Sequence, residues 1–361
     1  MMNGNAEALK AVVVGCGMGA NHARAMAGLD EYELVAVCDI DEERATGLAE
    51  GVGGVRVYTD YREMIAETRP DVVAVATPTS SHAEITIHAA EAGARGICCE
   101  KPVAKSMGQA RTMAETCEAR GIPLIFNHQR RLHPAYVAMR RLIEEGAIGD
   151  LYLVRGTCGG QVVTDGTHTV DLLFHLAGDP EVEWVFGQVY RDRPDPSEEK
   201  AEGRNPSGGY RYGHPIETGA IATFQFGTGV RAEMLIGGVR FPGRPYQDLE
   251  AFGTVGRLWR SGDRAEPPLL IRDEEAGGWR PAPLNLSEAE ADQLFPMRQS
   301  YTMFARTIRE GAPHPLCAAN ALREFEVLMA VYESARLNAR IELPLQQDEF
   351  PLELMIEEGR A

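Results

Sequence analysis

Apolar residues in the first third of the chain come in short runs separated by helical patterns. Lys10 to Val14, Glu33 to Cys38, Asp71 to Thr77 and Gly96-Ile97-Cys98-Cys99 read as buried strands, and Pro123 to Asn127 makes one more. Ser81-His82-Ala83-Glu84 and Ser106 to Gln109 have the form of capping boxes, opening helices that run towards Gly93 and Gly121. Strand and helix in strict alternation predict a mainly parallel sheet with helices on both faces, over residues 1–128. From residue 129 the pattern changes. Leu151 to Arg155 is a strand, and a helical pattern carries Val170, Leu172, Leu173, Phe174 and Leu176 up to Gly178. Gly219 to Phe226 and Val230 to Ile236 then alternate as antiparallel strands do. Glu290 to Glu310 and Ala321 to Arg336 read as helices, so residues 129–361 make a second α/β domain.

The first strand runs into Gly15-Cys16-Gly17-Met18-Gly19-Ala20 and then a helix. That context gives a glycine motif meaning. Gly15 allows the tight turn, Gly17 lets backbone approach a pyrophosphate, and Ala20 is the third small residue for close helix–strand packing. The helix N-terminus offers free N–H groups and a positive dipole end to phosphate. Asp39 ends the second strand, about 20 residues on, where a carboxylate binds both ribose hydroxyls. It repels a 2′-phosphate, which favours NAD over NADP, although Arg44 follows closely. The expectation is a doubly wound Rossmann sheet.

Thr77-Pro78 and Glu100-Lys101-Pro102 both fall at carboxyl ends of strands, the cofactor side of such a sheet. The proline disfavours the helical region for Lys101. A cation pinned there can act as an acid or hydrogen-bond donor, while the bland alternative is a solvated Lys-Pro turn.

Composition narrows the partners. The chain has 361 residues, 44% of them hydrophobic, which is ordinary for a globular protein of two domains. A net charge of −17 argues against nucleic acid or an anionic membrane as the main partner. Seven scattered cysteines form no Cys-x-x-Cys pair, so neither a disulfide framework nor a zinc site is expected. A reduced, cytoplasmic protein with no metal is the expectation. The short polar start has no secretory pattern, and no apolar run is long enough to span a membrane.

Taken together, these motifs resemble the Gfo/Idh/MocA family of oxidoreductases. The resemblance rests on Gly15 through His22, Ala76-Thr77-Pro78 with His82, Glu100-Lys101-Pro102, Gln129-Arg130-Arg131, Thr167-His168-Thr169-Val170-Asp171 and Tyr332-Glu333-Ser334-Ala335. It implies a C-terminal α/β domain with a large open, mostly antiparallel sheet, and hydride transfer at a sugar or cyclitol carbon with NAD or NADP. It implies that Lys101 hydrogen-bonds the reacting hydroxyl and that His168 is the general acid/base. Inositol dehydrogenases place an aspartate four residues before that histidine. Here that position is Thr164, and the aspartate is Asp165, so either residue could support His168. Expected cofactor contacts are Gly15, Gly17, Met18, Gly19, Asp39, Thr77, Pro78, His82, Glu100, Lys101 and Gln129. Expected substrate contacts are Lys101, Arg131, Thr164, His168, Asp171, Tyr212 and His214.

His168 stands in the first turn of its helix, where the positive helix end favours neutral imidazole, the form that accepts a proton. Asp192 to Pro215 is long and rich in proline, glycine and charge. It reads as a solvated insertion, or more sharply as a lid bringing Tyr212 or His214 to a sugar. The sheet of the second domain needs its other face covered, which predicts a homo-oligomer, a dimer or tetramer. The leading substrate expectation, by analogy with relatives, is oxidation at C3 of a glucoside or hexose. The alternatives are a glycoside-cleaving or isomerising enzyme that oxidises transiently, and a non-catalytic nucleotide sensor.

Overall fold

The computed structural model describes residues 7–192, 197–239, 246–262, 266–273, 277–284 and 286–361. They form two compact units. The first contains the chain up to Lys105, Gln109–Gln129 and, after a long excursion, Asp292–Ala321. The second contains Ser106–Gly108, Arg130–Ala291 and Leu322–Ala361. A single division after residue 128 therefore misses the returning segment, which is helical like much of the second half and carries no local sign of its destination.

The first unit is built on six parallel strands: β1 (Leu9–Val14), β2 (Tyr32–Cys38), β3 (Arg56–Tyr58), β4 (Val72–Val75), β5 (Gly96–Cys99) and β6 (Leu124–Phe126). Their order is β3-β2-β1-β4-β5-β6, with α1 (Gly19–Ala27), α2 (Glu42–Gly51), α3 (Tyr61–Thr68), α4 (His82–Glu91) and α5 (Met107–Glu118) along the connections. Every residue of β4 and β5 is buried, as expected of central strands covered on both faces. The order reverses between β1 and β4, and that switch point is where such sheets open a ligand crevice.

The second unit begins with α6 (Pro134–Glu144), β7 (Leu151–Cys158), α7 (Gly166–Ala177) and β8 (Val182–Tyr190). Two short strands, β9 (Tyr210–Arg211) and β10 (His214–Pro215), pair as a separate hairpin. Then come β11 (Gly219–Phe226), β12 (Arg231–Gly237), β13 (Asp248–Gly253), β14 (Gly256–Ser261), β15 (Leu270–Asp273) and β16 (Arg280–Pro281). The chain continues through α8 (Glu288–Ala291), α9 (Phe295–Glu310), α10 (Ala318–Leu337), β17 (Ile341–Glu342) and α11 (Pro351–Glu357). The nine-stranded sheet has the order β16-β15-β14-β13-β7-β12-β11-β8-β17, and only the β7–β12 pair is parallel.

Alternation in β11 and β12 sends one set of side chains inward and the other outward, as the sequence pattern requires. Helix α7 lies against β7 and β12. A Cβ on Gly156 of β7 would stand 2.3 Å from the Thr169 methyl, so this glycine sets the closeness of the helix. Phe174 anchors α7 on Phe224 and Phe226, at ring-centroid distances of 6.2 and 5.1 Å. Among the described residues, no helix is long and apolar enough to cross a membrane.

Candidate active site

The glycine turn after β1 has the shape its sequence implies. Gly15 has φ +91°, and a Cβ there would stand 2.5 Å from the Ala76 carbonyl oxygen. A Cβ at Gly17 would meet nothing within 4 Å, so its backbone faces open space. The close-packing position is Gly19 rather than Ala20. Helix α1 starts at Gly19, and a Cβ there would lie 2.7 Å from Val13 Cγ1, so the helix can cross β1 only because that side chain is absent. Met18 precedes the helix and is exposed. Asp39 holds the turn from the end of β2: Oδ2 accepts from Cys16 N at 2.7 Å, and Oδ1 accepts from Asp41 N at 3.0 Å and Arg44 Nη1 at 3.1 Å. A strained glycine, an open backbone and a carboxylate fixed at the strand end suit the pyrophosphate and adenine ribose of NAD.

The other expected cofactor residues follow β4, β5 and β6 at the same end of this sheet. His82 opens α4 and is buried; its ring nitrogens lie 2.9 Å from the Pro102 and Thr77 carbonyl oxygens. It staples the Thr77-Pro78 turn to the Lys101-Pro102 turn, and burial lowers its pKa despite those carbonyls. Ser81 does not cap α4. Its hydroxyl turns back to Thr77 Oγ1 and the Pro78 carbonyl, and Glu84 pairs with Tyr61 and Arg62 instead. Gln129 begins the short helical turn Gln129–Leu132.

Glu100 is 4% exposed, and its two oxygens are fully used. Oε1 accepts from Asn127 Nδ2 at 2.6 Å and faces His22 Nε2 at 2.9 Å; Oε2 accepts from the Lys101 backbone N at 3.1 Å. The other nitrogen of His22 lies 2.6 Å from the Tyr301 hydroxyl. Burial acts against the charge of Glu100, but His22, Lys101 and Asn127 outweigh it and bring its pKa down to about 2. Burial likewise acts against the His22 cation, yet Cys98 and Glu100 raise its pKa to about 10. The backbone of Lys101 therefore hangs on an ionised, wholly buried carboxylate, and the Lys101–Pro102 peptide is cis.

In the second unit, Asp165 precedes α7 and buried His168 lies in that helix's first turn. Both oxygens of the Asp165 carboxylate are engaged: Oδ2 by Arg211 Nη1 at 2.8 Å and the Thr164 hydroxyl at 2.9 Å, Oδ1 by the Tyr246 hydroxyl at 3.2 Å. Arg131 and Asp171 lie deeper. Arg131 is 2% exposed and bonds Asp171 at 2.9 Å, Asp179 at 2.5 Å and Glu324 at 2.7 Å. Burial raises the Asp171 pKa to about 6 against the pull of Arg131, and burial beside Asp171 pushes Glu324 well up.

Of the insertion thought to form a lid, residues 193–196 lie outside the described residues. Tyr212 is half-buried, with φ +52° and the Arg211 guanidinium over its ring. His214 is buried, with its ring edge-on to Phe350. Its surroundings are those of a packed core residue, although the pattern pointed it at sugar.

Several residues of these constellations gave no sequence signal. Tyr301 reaches His22 across 279 positions of chain, and Glu217 bonds both Val162 N and the Tyr332 hydroxyl. Gln247 is fully buried with φ +60°, donates to the Asp165 carbonyl and accepts from Thr169. A positive φ at a buried glutamine is costly and is kept where surrounding bonds require it.

Residues 9–128 match the family model described as "Oxidoreductase family, NAD-binding Rossmann fold", and residues 140–343 match "Oxidoreductase family, C-terminal alpha/beta domain". The chain belongs to this Gfo/Idh/MocA family of oxidoreductases. It is 38% identical over 141 residues to a D-apiose dehydrogenase of Paraburkholderia graminis, covering 39% of this chain and 37% of that relative. It is 30% identical over 204 residues to the D-glucoside 3-dehydrogenase of Escherichia coli K12, covering 51% of this chain and 58% of that relative. The aligned stretches thus span well under two thirds of either relative. A levoglucosan dehydrogenase solved with NADH shares the fold, with a TM-score of 0.78 at 22% identity over 94% of this chain and all of the other.

Proposed function

We propose that the protein oxidises a secondary hydroxyl of a sugar, glycoside or cyclitol. The observation that carries this reading is the Glu100–Lys101 turn, held by the buried Glu100 at the carboxyl end of β5 in the same sheet as the NAD-type glycine turn. NAD, held by Gly15, Gly17, Gly19 and Asp39, supplies the hydride acceptor. Lys101 hydrogen-bonds the reacting hydroxyl and lowers the cost of its deprotonation. His168 takes the proton. The family relation and the similarity to sugar and cyclitol dehydrogenases support this class of substrate. Similarity to the D-glucoside 3-dehydrogenase favours C3 of a glucoside.

The test is an absorbance screen for NADH with NAD and a panel of sugars, glycosides and cyclitols. Lys101→Ala should lower turnover by about 10²–10⁴-fold, the usual worth of a positioned acid–base group, while NAD still binds. Near-normal turnover would overturn the reading. Substrate consumption without net NADH would favour transient oxidation in glycoside cleavage instead.

The outward side of the large sheet exposes Tyr152, Phe186, Tyr190 and Ile221. A second copy of the chain is the proposed cover, and light scattering showing a monomer at working concentration would remove it.

A further inference from the structure

Residues 159–165 connect β7 to α7, the helix that carries His168. Three separated pieces of chain grip this connection. From the hairpin side, Arg211 Nη1 bonds Gln161 Oε1 at 2.7 Å and Asp165 Oδ2 at 2.8 Å, and lies 3.3 Å from Thr164 Oγ1. Its Nε donates to the Arg204 carbonyl at 2.8 Å, so the guanidinium also ties down its own segment. Just past the hairpin, Glu217 Oε1 accepts from Val162 N at 2.6 Å, and its other oxygen is held by Tyr332 at 2.5 Å. Ahead of β13, Gln247 holds the Asp165 carbonyl and Tyr246 its carboxylate.

The local conformation is adapted to this grip. Gly160 has φ +93°, and a Cβ there would stand 2.1 Å from Asp165 Oδ2, so a side chain would displace the carboxylate. The segment that presents Arg211 is itself ordered by backbone bonds: Tyr212 N to Gly203 O at 2.9 Å, Gly213 N to Ala201 O at 3.2 Å and Ile216 N to Gly209 O at 3.0 Å. Arg211 and Asp165 are only 16% and 17% exposed at their side chains, where a bidentate-capable cation holds geometry better than a flexible ammonium would.

We propose that residues 201–217 form a strap in which Arg211 is a positioning residue: it neutralises and clamps Asp165, and so fixes where His168 stands. The role assigned to His168 rests on the proposed function; the clamp itself does not. In this arrangement Asp165 is the anchor of the strap, not the acid that orients His168. The insertion works by holding the connection before α7 rather than by carrying Tyr212 or His214 to substrate.

The experiment uses the full chain with NAD present and the variants Arg211→Met, Arg211→Lys, Asp165→Asn and the double variant R211M/D165N. Amide exchange is followed over residues 160–169, together with the His168 ring resonance, identified by its loss in His168→Gln. R211M and D165N should each speed exchange about tenfold, the scale of a lost charge-assisted hydrogen bond. The double variant should speed exchange by clearly less than the product of the two single effects, because the Arg211–Asp165 contact is common to both. R211M should move the His168 resonance and R211K should largely restore it. With whichever sugar the NADH screen shows to be active, R211M should lower kcat about 10- to 100-fold at unchanged KM for NAD.

Unchanged exchange and an unmoved His168 resonance in R211M would overturn the strap. So would additive effects in the double variant, or loss of turnover in D165N with R211M normal, which would make Asp165 the orienting acid. Normal turnover in His168→Gln would instead overturn the catalytic reading, leaving the exchange result standing.

Discussion

Nε2 of His22 stands 2.9 Å from Oε1 of Glu100, and neither side chain reaches solvent to any useful extent. Glu100 of this pair also accepts from the Lys101 backbone N at 3.1 Å. A buried pair is weak evidence of net stability, but removing one partner leaves a buried charge uncompensated.

Its pH signature follows from the two shifts. The Glu100 pKa is lowered from 4.5 to about 2, so its contribution is present above about pH 4.5 and lost as pH falls towards 2. The His22 pKa is raised from 6.5 to about 10, so its contribution is present below about pH 6.5 and lost as pH rises through 10. Stability from the pair should peak between those limits. His22→Gln should lower Tm most near pH 5–6, with the two curves converging near pH 10. Thermal melts giving parallel curves would show that the ring is neutral in the fold.

Arg131 compensates three carboxylates at once. Arg131→Met should destabilise the protein by about 3–5 kcal/mol, the cost of opening a buried ion network. Asp171 and Glu324, already raised by burial, would rise further without the guanidinium, and protonation would remove the uncompensated charge. The deficit should shrink as pH falls below about 6 and widen above it. Denaturant unfolding at pH 5 and pH 8 checks the sign.

Asp39 and Arg44 face each other across 3.1 Å, with Arg44 half exposed. Asp39→Ser should weaken NAD binding about tenfold or more through lost ribose contacts, and should free Arg44 for a 2′-phosphate. The NAD/NADP ratio of dissociation constants, measured by calorimetry, should rise towards one or above. An unchanged ratio would place the discrimination elsewhere.

Gly15→Ala would set a methyl 2.5 Å from the Ala76 carbonyl in a backbone conformation that disfavours side chains. NAD affinity should drop sharply, with a Tm loss larger than that of Gly17→Ala, whose added methyl meets nothing within 4 Å. Equal effects of the two substitutions on Tm would mean that the turn relaxes freely.

The parts of this molecule that could be read in advance are those encoded over short stretches. Gly15, Gly17 and Asp39 belong to one strand-turn-helix-strand unit, and their spacing follows from its geometry. The Lys101 turn was visible because a buried strand and a proline bracket it. The same local reading failed at Ser81, where a capping-box pattern lost to hydrogen bonds within the Thr77–Pro78 turn. It could not reach Tyr301, Arg211, Glu217 or Gln247, whose partners lie tens to hundreds of residues away and follow no period. Nor did the sequence show that His214 is buried against Phe350, because composition reports polarity and not burial.

The return of Asp292–Ala321 to the first unit has a consequence for synthesis. Helix α9 packs on α1, its Tyr301 closes the His22 contact, and Leu316 accepts from Phe126 N at the edge strand β6. A nascent chain therefore has all six strands of the parallel sheet some 170 residues before the helix that seals them. Until that helix emerges, the apolar flank of α1 and the bare edge of β6 stay open to water and to other chains. The nucleotide-binding half is begun first and finished almost last, which makes this interval the point in its biogenesis where a chaperone has most to protect.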